Sequence, residues 1–74
     1  MSKENPKRFT DVIDLWPNRP ALAADLNLSP GLVQKWAERD KIPASHWNRV
    51  VEAAKRRGYW QVTARRLALI AEGQ

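Results

Sequence analysis

Gln34 and Lys35 are the adjacent side chains in this sequence best equipped to make specific contacts with a partner. A primary amide carries a donor and an acceptor side by side, which matches the pattern on the major-groove edge of adenine. The neighbouring ammonium can reach the guanine acceptors or a phosphate. Both residues follow Ser29-Pro30-Gly31, where Pro30 and the small Gly31 leave the start of a helix open to a base edge or a phosphate. For catalysis the sequence offers little. It has no nucleophile with an attendant histidine and acid, no glycine-rich phosphate loop and no paired-carboxylate motif, so it does not read as an enzyme. With no cysteine and a single histidine, His46, a zinc site would need carboxylate help. No metal, cofactor or small-molecule ligand is expected.

Helical signals surround this pair. Ser29 is a good N-cap, and Pro30 fits the first helical position. The helix should run to about Arg39, with Leu32, Val33, Trp36 and Ala37 inward and Pro30, Gly31, Gln34, Lys35 and Glu38 facing solvent. A helix from the Asn18 cap to about Leu26 precedes it, with Leu22, Ala23 and Leu26 inside and Pro20 tolerated in its first turn. The turn between them is Asn27-Leu28-Ser29. Asn27 stands where a sharp helix end often needs a positive φ, Leu28 plugs the wedge, and the small Ala23 and Ala24 allow a close crossing.

Phe9, Val12, Ile13 and Trp16 predict a first helix over 9–16, with Thr10 as cap, Asp11 in the first turn and Pro17 as the stop. A fourth helix should begin near Ala44 or Ser45, carry Trp47, Val50, Val51 and Ala54, and end at Gly58. A last helix, capped by Thr63, places Leu67, Ile70 and Ala71 on one side. No stretch alternates long enough for a strand. The expectation is an all-α, compact five-helix domain: a polar tail over 1–8, a core over 9–57 and a C-terminal helix in 58–74.

Seventy-four residues leave room for one domain with a marginal core. The net charge of +5 is unevenly placed. Residues 1–28 balance, and the whole excess lies in 29–74, which suits a polyanionic partner. No apolar run approaches a membrane span and the first residues lack the core of a signal peptide, so a cytoplasmic chain is expected.

The stretch LAADLNLSPGLVQKW, residues 22–36, resembles the helix-turn-helix signature of the Cro and lambda-repressor-like family. Leu22-Ala23, Leu26, Leu28, the Ser29 cap, Val33 and Trp36 occupy the pattern, with Asn27 where a glycine is usual. Lys41-Ile42-Pro43-Ala44 followed by His46-Trp47 is similar to the connector of small phage-type Cro and antitoxin-like regulators. The resemblance implies a sequence-specific regulator of transcription, of repressor type, that reads double-stranded DNA in the major groove. It implies base contacts from Gly31, Gln34 and Lys35, with Pro30 beside them. It also implies backbone contacts from Arg19, Ser29, Arg39 and Lys41 and from the start of the fourth helix at Ser45, His46 and Arg49. A homodimer on half-sites about 34–36 Å apart would follow, bacterial nucleoid-associated if the chain is of bacterial or phage origin. Leu67 and Ile70 are the expected pairing surface, because their stripe lies outside the minimal signature.

Other readings compete. An antitoxin-like or adaptor module gripping a partner protein would use the same helices, and the basic C-terminal half would suit structured RNA. Trp16, Trp36 and Trp47 read as core by their spacing. Tyr59 and Trp60 either stack on bases or seal the last helix or a dimer interface. The Lys55-Arg56-Arg57 run is either a solvated helix end or a reach towards DNA.

Overall fold

Side-chain oxygens placed one residue ahead of the helical stretches start three of the helices. The computed structural model describes residues 5–74. Its helices are α1 (Phe9–Ile13), α2 (Arg19–Leu26), α3 (Pro30–Arg39), α4 (Trp47–Arg56) and α5 (Ala64–Glu72), with a 3-10 turn at Ala44–His46 before α4. Asn18 accepts from the Ala21 amide (2.8 Å), Ser29 from Leu32 (3.3 Å) and Thr63 from Arg66 (3.0 Å). Each bond satisfies an amide that the first helical turn leaves without a partner. Among the described residues there is no strand, and the fold is all-α.

Three of the helices stop by one device. Asn27, Asp40 and Gly58 have φ of 59°, 53° and 78°. At each, the next amide reaches back across the turn: Leu28 to the Ala23 carbonyl (2.8 Å), Lys41 to Trp36 (3.0 Å) and Tyr59 to Ala54 (2.8 Å). The amides of Asn27, Asp40 and Gly58 themselves bond Ala24, Ala37 and Lys55, completing the paired pattern of a left-handed helix end. Asn27 thus turns the chain from α2 into α3 within three residues, as its type predicts.

The core gathers one face of every helix: Phe9, Val12 and Ile13 from α1, Leu22, Ala23 and Leu26 from α2, Val33 and Trp36 from α3, Val50, Ala53 and Ala54 from α4, and Leu67 and Ile70 from α5. Trp16, Ile42 and Val62 fill in from the connections. The helices close into a body of 26 × 25 × 21 Å.

Some expectations are corrected. α1 ends at Ile13, because Leu15 and Trp16 bond back three residues to Val12 and Ile13 (3.2 Å each) and Pro17 disfavours a helical Trp16. Its cap is Arg8 and not Thr10, since the Asp11 carboxylate turns back to accept from the amides of Lys7 (3.1 Å) and Arg8 (3.2 Å). Pro6 is buried, so the expected tail over 1–8 is anchored from its sixth residue; residues 1–4 of it lie outside the described residues. Ala71 faces solvent, and Ala53 takes the core position in α4 that the spacing of larger residues hid.

Asp25 ties three segments together. It accepts from the buried Trp16 indole (2.8 Å) and from the Arg57 guanidinium, joining the connection after α1, α2 and the residue that closes α4. The guanidinium holds its carboxyl below the usual value, and the indole adds to that against the effect of burial. Replacing Asp25 by Ala is expected to cost about 1–3 kcal/mol, chiefly by leaving the indole N–H without an acceptor. Asp25→Asn, which keeps an acceptor oxygen, should cost less. Because the folded pKa is depressed, this stabilisation is complete above the ordinary aspartate value of about 3.9 and disappears as pH falls through the lower folded value. Urea denaturation between pH 2 and 6 checks both statements. Equal stability of wild type and Asp25→Ala at neutral pH would remove the tie.

Candidate nucleic-acid interface

The α3 helix is pinned on one face and at both ends, which leaves one stripe to solvent. Val33 and Trp36 are buried, and the Trp36 ring lies 5.1 Å from His46 at 47°. At the N-terminal end Ser29 caps it, and the Asn27 turn, with the Leu28 amide on the Ala23 carbonyl, holds it to α2. At the C-terminal end the Asp40 carboxylate accepts from the Thr10 amide (2.9 Å), and the Asp40 carbonyl accepts from the Gln74 side chain (2.6 Å). Asp40 is therefore occupied with the fold, although it lies between Arg39 and Lys41.

Gly31, Gln34, Lys35 and Glu38 are all exposed and fall at i, i+3, i+4 and i+7, one straight stripe with Pro30 at its head. A Cβ built on Gly31 meets nothing within 4 Å, so the helix start is open to close approach. The Gln34 amide donates to the Glu38 carboxylate at 3.3 Å. That exposed bond orients the amide and is weak enough to be exchanged for a base edge. The i,i+4 spacing of Gln34 and Glu38 is the sequence signal for this pair. The Glu38 carboxylate is itself an acceptor suited to a cytosine amine.

The candidate backbone contacts divide. Arg39, Lys41, Ser45 and Arg49 are exposed, and none of the three cations forms an ion pair with another described residue. Ser29 is exposed, with its hydroxyl engaged as the cap. His46 is half-buried against Trp36. Arg19 is already paired with Asp14 at 2.8 Å, so a phosphate there would have to displace a carboxylate. Arg49 borders a groove of about 380 Å³ between α4 and the end of α2, lined by Asn48, Glu52 and Arg56 from α4 and by Asp25, Leu26 and Asn27 from the end of α2.

No protein-family model matches this chain, and the comparisons with curated proteins and with solved structures give no match either.

The pairing surface expected at Leu67 and Ile70 is corrected by the fold. These side chains are 0% and 5% exposed, packed into the chain's own core, where they cannot also meet a second copy. The apolar stripe of α5 closes the small core of its own protomer. Among the described residues, the large apolar side chains left outside are Trp60 and Leu69. Tyr59, beside Trp60, does seal the bundle: its ring meets Trp16 edge-on at 5.1 Å. Among the described residues no helix is long and apolar enough to cross a membrane.

Proposed function

We propose that this chain binds double-stranded DNA with sequence preference, lays α3 in the major groove and acts in the cytoplasm as a transcriptional regulator of repressor type. The observation that carries the reading is the exposed stripe Gly31–Gln34–Lys35–Glu38 on a helix whose opposite face is locked into the core. An α-helix with its side chains is about 10–12 Å across, and the major groove is about 12 Å wide, so the ten-residue α3 fits. Gln34 would take adenine, Lys35 guanine or phosphate, and the backbone at Pro30 and Gly31 would approach the groove edge. Arg39, Lys41, Ser45 and Arg49 would meet phosphates on either side, joined by Arg19 once it exchanges Asp14 for one. Two copies on a two-fold site would bring affinity beyond that of one small module.

Selection from a random duplex pool, followed by titration, tests the proposal. Gln34→Ala is expected to lose about 1–3 kcal/mol on the selected duplex and to relax the preference at one position. Random duplex should bind the variant and the wild type alike. Failure to retain any duplex at physiological salt would end the proposal and favour a protein partner. An equal loss on random DNA would remove Gln34 as a base reader.

A further inference from the structure

Trp60 lies outside everything derived so far. It is 71% exposed, while Trp16 and Trp36 are buried and Trp47 is half-buried against Phe9. An indole in water forgoes a large apolar contribution, and this one is not left out by slack in the chain. Gly58 is fixed in its left-handed turn, Tyr59 is held on Trp16, and Val62, which bonds back to the Tyr59 carbonyl (3.2 Å), is buried. The segment is anchored on both sides of Trp60 and presents the ring outward.

Its neighbours along the sequence have one sign of charge. From residue 53 to residue 71 the sequence contains no acid and five cations, at Lys55, Arg56, Arg57, Arg65 and Arg66. Arg57 is committed to Asp25, and Lys55 reaches Glu52 at 3.4 Å. Arg56, Arg65 and Arg66 form no ion pair with another described residue. These cations come from the last turn of α4 and the first turn of α5, the two ends that the Trp60 segment connects. Leu69, 44% exposed, follows Arg65 and Arg66 one turn along α5.

We infer that Trp60 and these cations form a second binding surface, for single-stranded nucleic acid, distinct from the α3 stripe. The indole would stack on an unpaired base, and Arg56, Arg65 and Arg66 would neutralise the phosphates beside it. An exposed aromatic ring among cations is the pairing that strand binders use, because every base has a stackable face. A second copy of this chain is a poorer occupant, since it would bring the same cations against these.

The test is fluorescence anisotropy of a labelled dT12 strand with the full chain. Trp60→Ala should weaken binding about tenfold or more, Trp60→Phe should recover most of it, and Gln34→Ala should leave it unchanged. The last variant separates this surface from the duplex reading, whose failure would not touch it. Because Trp60 is exposed, circular dichroism of Trp60→Ala should match wild type. Unchanged dT12 affinity in that variant would reduce the surface to general attraction for phosphate and overturn the inference. So would sedimentation showing self-association that Trp60→Ala abolishes, or polyglutamate binding as tightly with the same dependence on Trp60.

Discussion

Truncating Leu67 to alanine is expected to lower the unfolding free energy by about 2–5 kcal/mol. The side chain is fully buried, and α5 packs on α4 through the same face. Removing three carbons there forfeits their transfer from water and leaves a cavity that helices held by caps at Thr63 and Gly58 cannot easily close. A chain of 74 residues has about 4–11 kcal/mol of stability in all, so the variant stands near the edge of folding. Urea titration reads the loss directly. A variant of native stability but weakened self-association would instead return Leu67 to a pairing surface.

Raising monovalent salt from 50 to 200 mM is expected to weaken duplex binding by about a hundredfold per protomer engaged. The figure follows from Lys35, Arg39, Lys41 and Arg49, each exposed and in no ion pair with another described residue. Four neutralised phosphates give a slope of about −3.6 in log K against log salt. Arg19 is left out because it begins paired with Asp14, so a phosphate contact there replaces one ion pair by another. Arg39→Ala should flatten the slope by about 0.9 and weaken all sequences alike, whereas Arg19→Ala should change it less. Titrations at four salt concentrations distinguish these outcomes, and a slope near zero would contradict phosphate contact altogether.

Three helix starts and two helix stops were legible in the sequence because their signals are local. Asn18, Ser29 and Thr63 each announce a start, and Asn27 and Gly58 each announce a stop, within a few residues of where they act. The outward set on α3 was legible for the same reason, since a period of 3.6 places Val33 and Trp36 opposite Gln34. What escaped depends on residues far apart in the chain. Asp40 reads as part of a connector until the Thr10 amide, thirty residues earlier, is brought to its carboxylate. Arg57 reads as one more cation of a basic run until Asp25 meets it. Leu67 and Ile70 show an apolar stripe, and a stripe does not say whether its partner is the same chain or another. Trp60 carries no periodic signal, so only the three-dimensional packing distinguishes it from Tyr59.

The double anchorage of α3, by the Asn27 turn at one end and Asp40 at the other, has a mechanical consequence. If α3 reads DNA as proposed, a helix already stiff would not mould itself to an imperfect target, so little affinity would be lost to ordering it and the mismatch would be absorbed by the duplex. Flexible pyrimidine–purine steps beside the contacted bases would accommodate such a rigid probe more cheaply than stiff A-tracts. The preferred targets would then share a bendability as well as a base pattern, including at positions that no side chain touches.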